Sequence, residues 1–207
     1  MSTKDSRLWL LAIPLAILGS AFLASQLRAP PGSEGPLKVA SKVDLSFTGL
    51  HSVSGQPGEE IVPRNDFSII AFGYTSCPDV CPTTLIAVHQ ILEQLGRDAD
   101  RVRPLFITFD PERDTPEKLR LYTAAFDNRI TALTGSGAAI DRAAKNFHIR
   151  YIKRPAGPSS PEYQIDHTAM LYMVNPERRV IAAIPEAGSP RDIAAAMVSK
   201  ARTQLGR

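Results

Sequence analysis

Two cysteines four positions apart, Cys77 and Cys81, are the residues best suited to chemistry, and they lie in the segment YTSCPDVCP at residues 74–82. The 207-residue sequence holds no other cysteine, which excludes a disulfide framework and a four-cysteine zinc site. Proline suits the first position of a helix because it has no N–H, so we predict that Pro82 begins a helix and that Cys81 lies near its N-cap. The unpaired amides and the helix dipole would then lower the pKa of the Cys81 thiol, so we expect Cys81 to be reactive or ready to bind a metal.

The spacing of the two cysteines favours chelation of a metal over a disulfide. On a regular helix, residues four apart have Cβ atoms about 5–6 Å from each other, whereas a disulfide requires about 3.5–4.5 Å. Two thiolates at the larger separation can share one metal ion at about 2.3 Å per sulfur, with zinc as the guide. Oxidation stays open as an alternative if the turn rearranges.

Two sulfurs leave a soft-metal site incomplete, so a third ligand is expected among the four histidines. His167 is the best candidate because it stands at the entrance to a predicted strand, although its position alone favours an exposed or capping residue. His89 falls on the apolar face of the predicted helix and is expected to be packed. The other two are assigned to a loop and to a helix end: His51 and His148.

The elements that must position these residues alternate between strands and helices. Apolar runs predict strands at 67–74, 102–109 and 130–133, and a hairpin formed by 168–174 and 180–184. Helices are predicted after Pro82, after Thr115-Pro116, around 140–147 and after Ser189-Pro190. A β-α-β unit followed by β-β-α is the order of the thioredoxin fold, so we predict an α/β, thioredoxin-like domain. In that fold the cysteine turn and the loop of His167 meet at one end of the sheet.

Flanking segments complete the predicted organisation. Residues 43–62 alternate between polar and apolar and contain three glycines, which suggests a hairpin added at the N-terminus of the fold. Residues 154–161 contain three prolines and are expected to form an exposed, mobile loop.

The first forty residues predict a membrane anchor. Residues 8–27 carry no charge and would span roughly 30 Å as a helix, the thickness of the hydrocarbon core. A cleaved signal peptide is the alternative, but the apolar stretch is long and no clean A-x-A site follows it. The expected organisation is a short tail at 1–7, a transmembrane anchor at 8–27, a Pro/Gly-rich linker at 28–40 and a folded domain at 41–207.

The overall charge argues against nucleic acid as a partner. Lysine and arginine number 24 against 21 aspartates and glutamates, a formal charge of +3, and no basic stripe occurs along the chain.

A dense polar segment, FDPERDTP at residues 109–116, has two interpretations. Its acids favour the start of a helix, and Arg113 can pair with one of them. The alternative is that the segment lies near the cysteines and supports the residues that form the site. The sequence leaves both open.

Three motifs in order, GYTSCPDVCPTTL (73–85), ITFDPERDTPEKLRLY (107–122) and DHTAMLYMVNP (166–176), resemble the Sco/SenC family of copper-binding, membrane-anchored, thioredoxin-like proteins. The resemblance runs from about residue 43 to the C-terminus. It implies that Cys77, Cys81 and His167 bind copper, as Cu(I), Cu(II) or both. The chain departs from a typical member in the glycine-poor hairpin turn at 175–179.

The resemblance implies a copper metallochaperone that assembles the dinuclear copper centre of cytochrome c oxidase. Its expected partners are the copper-centre subunit of the oxidase, other copper chaperones and thioredoxin-like reductants. The expected location is the inner membrane of a bacterium, crossed once, with the domain in the periplasm. One alternative is a thiol–disulfide reductase or thiol peroxidase acting on the cysteines of that subunit, and a second is a binding module that senses copper or oxidant. Enzymatic activity is expected only under the reductase alternative.

Overall fold

The computed structural model describes residues 41–155, 157 and 162–206. The elements along the chain are β1 (Leu50–Ser52), α1 (Gly58–Ile61), β2 (Phe67–Gly73), α2 (Val80–Leu95), β3 (Val102–Thr108), α3 (Pro116–Ala124), β4 (Thr131–Gly135), α4 (Gly137–Asn146), β5 (Tyr151–Pro155), β6 (Tyr163–His167), β7 (Met170–Val174), β8 (Val180–Pro185) and α5 (Pro190–Leu205).

The central feature of the fold is a six-stranded sheet with the strand order β1-β4-β3-β2-β7-β8. Strands β2, β3 and β4 are parallel to one another. Strand β1 pairs antiparallel with β4, β7 with β2, and β8 with β7.

The sheet separates two apolar cores. All seven residues of β2 are buried, as expected for a central strand covered on both faces. Helices α2 and α5 pack together on one face, where the predicted apolar stripe of α2 is buried. Helix α4 and the segment before β1 cover the other face. The thioredoxin-like prediction is therefore confirmed, and the C-terminal end of β2 leads directly into the cysteine turn.

The N-caps of helices α3 and α5 are those that the sequence predicts. Thr115 caps α3 by accepting a hydrogen bond from the Lys118 amide, and Pro116 follows it at the first helical position. Ser189 and Pro190 do the same for α5. Both helix starts are confirmed at the predicted residues.

The added N-terminal hairpin predicted at 43–62 is wrong in its extent. The segment contributes one strand, β1, which pairs with β4 rather than with a second strand of its own. The chain turns back after Ser52, but only a single bridge forms, between His51 and Pro57. Pro57 has no N–H to donate to a ladder, and Gly58 begins the short helix α1 immediately afterwards. His51 consequently lies on an edge strand and not in a loop.

A second, two-stranded sheet was missed by the sequence analysis. Strands β5 and β6 pair antiparallel, with Tyr151 opposite His167. The end of β5 falls where a loop was expected, since Arg154 and Pro155 are the last two residues of this strand. The following strand, β7, begins at Met170 and not at residue 168. Residues 156 and 158–161 lie outside the described residues, so the mobility of that loop stays a prediction.

The glycine-poor turn between β7 and β8 closes without a glycine. Arg178 takes the left-handed conformation with φ 63°, and its amide donates to the Asn175 carbonyl oxygen at 2.9 Å. The Asn175 side-chain oxygen accepts from the Arg179 amide, also at 2.9 Å. Asparagine therefore supplies the hydrogen bond that stabilises a turn strained at Arg178.

The predicted tail, anchor and linker at 1–40 lie outside the described residues. Within the part of the chain that is described, no helix has both the length and the apolar character needed to cross a membrane.

Candidate metal centre

The cysteine turn connects the end of β2 to the start of α2, and it differs from the predicted geometry. Helix α2 begins at Val80 with Asp79 as its N-cap, so Cys81 is the second helical residue and Pro82 the third. Proline is tolerated there as well as at the first position, because the first four amides of a helix have no partner within the helix. Cys77 lies outside the helix, in a turn closed by its amide donating to the Tyr74 carbonyl oxygen at 3.2 Å.

The two thiols have opposite environments, and the roles expected from the sequence are reversed. The pKa of the partly buried Cys77 is strongly lowered, first by the hydrogen bond from the Cys81 side chain and also by His167 and by the backbone amides of Asp79 and Cys81. The same hydrogen bond, together with burial, raises the pKa of Cys81, which is 2 % exposed. The helix N-terminus thus stabilises a thiolate at Cys77, not at Cys81.

Gly73, the last residue of β2, makes room for the Cys81 sulfur. A Cβ atom at this position would lie 2.6 Å from Cys81 Sγ and 2.9 Å from the Phe106 ring. A side chain larger than hydrogen therefore cannot occupy residue 73 without displacing the sulfur or the ring.

His167 reaches the thiols from the end of β6. Its Nδ1 lies 3.1 Å from the Thr168 carbonyl oxygen, which can only accept, so Nδ1 carries the ring proton of the neutral imidazole. Its Nε2, the unprotonated nitrogen of that tautomer, lies 4.0 Å from Cys81 Sγ. The Phe109 ring, 5.1 Å away between centroids, packs against the imidazole. Burial is the largest single influence on the pKa of His167 and would lower it, but the interactions with Cys77, the Thr168 backbone and Glu186 together outweigh burial, and the pKa is raised.

These donors fit a soft metal ion. With bond lengths of about 2.3 Å to sulfur and 2.0 Å to nitrogen, taken from zinc, one ion can bridge Cys81 Sγ and His167 Nε2 across the observed 4.0 Å. Cys77 interacts with the side chains of both residues, and its lowered pKa makes its thiol the more readily ionised of the two. Two thiolates and an imidazole form a donor set that suits copper or zinc, and the hydrogen bond at Nδ1 orients the ring as in known histidine sites.

The acidic segment before α3 holds the cysteine turn in place. Asp114 is 1 % exposed, and its carboxylate accepts from the Thr75 amide at 3.0 Å, from the Thr75 hydroxyl at 2.5 Å and from the Thr108 hydroxyl at 2.6 Å. Thr75 is two residues before Cys77, so these bonds fix the start of the turn. The supporting role that the sequence left open is therefore present.

The same segment also contacts the strand that carries His167. Arg113 pairs with the buried Asp110, as the simpler interpretation expected, and donates to the Tyr163 carbonyl oxygen at 2.9 Å. The Tyr163 hydroxyl in turn donates to Asp110 at 2.5 Å. Because Tyr163 begins β6 and His167 ends it, one five-residue loop braces both halves of the site.

A fourth polar residue beside the site, Glu186, was missed by the sequence analysis. It follows β8 and is 4 % exposed, and among the described residues neither carboxylate oxygen has a hydrogen-bond partner. Burial raises its pKa to about 7, and it interacts electrostatically with His167 and Cys77. In the sequence it belongs to the polar turn PEAGSP, where nothing distinguishes it from an exposed glutamate.

A separate group of ligand-type residues lies on the outer side of α2. Donor atoms of His89, Glu93 and Asp127 lie within 4.8 Å of one another. The Arg129 guanidinium already occupies the space between the two carboxylates, at 2.6 Å from each. His89 is paired with Asp127 at 2.8 Å and its side chain is 45 % exposed, so the expectation of a packed histidine is wrong.

Comparison with known proteins identifies the family. The SCO1/SenC family model matches residues 38–202, which include the entire site. The chain belongs to the SCO1/SenC family. This confirms the resemblance inferred from the three motifs.

Relatives in the SCO1/SenC family are similar over most of their length. An SCO2-like protein of Rickettsia typhi is 37% identical over 185 residues, covering 87% of this chain and 91% of the relative. The mitochondrial protein SCO2 homolog of Mus musculus is 34% identical over 181 residues, covering 83% of this chain and 69% of the relative.

Solved structures of the family share the fold. ScoI of Bradyrhizobium japonicum with copper bound matches with a TM-score of 0.63 and 30% identity, covering 79% of this chain and 99% of that one. Apo Sco1 of Thermus thermophilus matches with a TM-score of 0.62 and 31% identity, covering 83% of this chain and 93% of that one.

Proposed function

We propose that this protein binds copper through Cys77, Cys81 and His167 and delivers it during assembly of the dinuclear copper centre of cytochrome c oxidase. The observation that carries the proposal is the position of His167: its Nδ1 proton is held by a carbonyl, and its Nε2 lies 4.0 Å from the buried sulfur of Cys81. A disulfide reductase needs two thiols but no such imidazole. Membership of the SCO1/SenC family and the copper bound to ScoI of Bradyrhizobium japonicum support copper as the metal.

The surface beside His167 suits transfer to another protein. A shallow depression of about 450 Å³ lies next to the imidazole and is lined by Arg150, Tyr151, Ile152 and Asp166. Ile152 is 53 % exposed, which is unusual for a large apolar residue on a strand. We infer that the recipient, the copper-centre subunit, docks over this depression and approaches the metal from the His167 side.

The chaperone acts from a membrane in this proposal. The apolar segment at 8–27 anchors the protein in the inner membrane of a bacterium, and the linker at 28–40 connects the anchor to the domain in the periplasm. Charge does not set the orientation, because lysine and arginine occur on both sides of the segment.

Thiol–disulfide reduction is a second candidate, favoured by the asymmetry of the cysteines. A partly buried Cys77 with a lowered pKa beside a buried Cys81 with a raised pKa resembles the attacking and resolving pair of a thiol oxidoreductase. Reduction of the cysteines of the oxidase subunit would then precede delivery of copper by another protein.

Replacing His167 by alanine separates the two candidates. The variant loses a nitrogen ligand but keeps both sulfurs and the helix N-terminus, so copper affinity should fall about 10–100-fold while exchange with a model disulfide continues. The measurement in cells is cytochrome c oxidase activity at limiting copper, in a deletion strain complemented with each variant. His51→Ala, at the exposed position of edge strand β1, is the matched control and should behave as the parent.

Full rescue by His167→Ala would refute copper delivery and support the reductase. Loss of rescue with intact thiol exchange supports delivery. Cys81→Ser should abolish both activities, because it removes a ligand and the resolving thiol together.

A further inference from the structure

Glu186 occupies a position that is costly for a carboxylate. Both oxygens are buried and, within the described part of the chain, neither has a hydrogen-bond partner. The neighbouring Thr84 hydroxyl donates its proton to the Val80 carbonyl oxygen at 3.0 Å, so it does not satisfy the carboxylate. A buried polar group without a partner is rare in proteins and calls for a role at a site.

The surroundings of Glu186 indicate what that role is. It interacts electrostatically with each of the three proposed copper ligands, and the Glu186 amide donates to the Ala169 carbonyl oxygen at 3.1 Å, two residues after His167. Pairing of β7 with β8 fixes this register, because Met170 lies opposite Pro185. The carboxylate is therefore held by the sheet beside the Cys–His cluster.

We propose that Glu186 is a fourth residue of this cluster and that its carboxylate raises the affinity of the site for Cu(II) relative to its affinity for Cu(I). The inference rests on the proposed copper-binding function. Two thiolates and an imidazole are soft and borderline donors, and such donors suit Cu(I), the softer ion. A negative charge beside the metal attracts Cu(II) twice as strongly as Cu(I), since Coulomb energy scales with ionic charge. A carboxylate oxygen is also a harder donor than sulfur, which favours the same state.

Three variants test the proposal on the full-length protein purified in detergent. Glu186→Gln removes the charge and keeps the shape, Glu186→Asp keeps the charge, and Glu60→Gln makes the same chemical change at an exposed position of helix α1. Affinities for Cu(I) and Cu(II) are measured separately by competition with chromophoric chelators. The Cu(II)–thiolate absorption band and the electron paramagnetic resonance spectrum provide a second readout that folding alone would not change.

We expect Glu186→Gln to lower the ratio of Cu(II) to Cu(I) affinity about tenfold and to shift the absorption band. Glu186→Asp should retain most of the ratio, and Glu60→Gln should match the parent. Removing a buried charge should also raise the thermal stability of apo Glu186→Gln, so loss of the fold is not expected.

Two results would overturn the inference, and they are distinguishable. If the parent binds copper and Glu186→Gln keeps both the parental ratio and the parental spectrum, the role of Glu186 is refuted and the copper-binding function stands. If the parent binds neither copper ion through its cysteines, the proposed function fails and the inference fails with it. Should Glu186→Gln not fold, Glu186→Ala, which also removes the charge, takes its place, and a parental ratio and spectrum for that variant refute the role instead.

Discussion

Replacing Gly73 by alanine tests whether the strand end positions the buried sulfur. The new Cβ would lie 2.6 Å from Cys81 Sγ, whereas ordinary contact begins at 3.4 Å, so the sulfur must retreat by about 0.8 Å. The Phe106 ring, at 2.9 Å, blocks movement of the new methyl group in another direction. Metal ligands tolerate deviations of about 0.2 Å, so the displacement exceeds what one bound ion can accommodate.

The cost to stability follows from the same contacts. Overpacking of a buried site destabilises by about 1–3 kcal/mol, and the loss of backbone freedom in the unfolded chain offsets about 0.4–1 kcal/mol of this. We expect Gly73→Ala to lower the free energy of unfolding by about 1–2 kcal/mol and copper affinity by about 10–100-fold. Urea denaturation of the apo protein and chelator competition measure the two effects separately.

Gly137 provides the matched control for this change. A Cβ at its position meets no atom within 4 Å, and it lies in the first turn of α4. Gly137→Ala should therefore leave copper affinity unchanged and stabilise the fold by about 0.4–1 kcal/mol. The reasoning is refuted if Gly73→Ala binds copper as tightly as the parent and unfolds at the same urea concentration.

Two further predictions concern the carboxylates. Asp114→Asn replaces one acceptor oxygen by a donor that faces Thr75 or Thr108, so stability should fall by about 2 kcal/mol and Cys77 should react faster with a thiol probe; unchanged reactivity would show that the turn does not depend on this carboxylate. Hydrogen bonds from Arg129 first of all, and then from His89, lower the pKa of Asp127, so its stabilisation is complete above about pH 4 and is lost as the pH falls towards the folded pKa. Acid titration of unfolding should accordingly be flatter for Asp127→Asn than for the parent, by about 1–2 kcal/mol between pH 5 and pH 2, and parallel curves would contradict this.

Elements defined by short-range chemistry were predictable from the sequence. The caps at Thr115 and Ser189 and the buried run of β2 each depend on residues within a few positions, and all three were placed correctly. The choice of Cys81 as the activated thiol failed because proline at the third helical position is as acceptable as at the first. The helix starts two residues earlier than predicted, and Cys77, which precedes it and is only partly buried, is the thiol with the lowered pKa.

Features that depend on tertiary packing were not predictable in this way. Strand β5 ends in a proline and is followed by a proline-rich sequence, so its local sequence favours a loop. Its pairing with β6 is specified only when the two segments meet. Glu186 was not predicted because it is buried beside His167 and Cys77, which lie 19 and 109 positions earlier in the sequence. The residues next to Glu186 in the sequence do not indicate this contact.

The low burial of the β5–β6 sheet, which carries His167, affects how a metal ion would leave the site. In β5 and β6 only Ile165 is buried, and the other nine residues are partly or fully exposed, whereas both cysteines are attached to the fully buried end of β2. Because this two-stranded sheet buries so little apolar surface, it opens at a lower free energy than the six-stranded core once the contacts of Tyr163 with Arg113 and Asp110 break. Opening withdraws the imidazole and leaves the two sulfurs in place. If the protein delivers copper as proposed, such a local fluctuation lowers the coordination number of the copper by one, and a ligand of the recipient can take the vacated position before either sulfur dissociates.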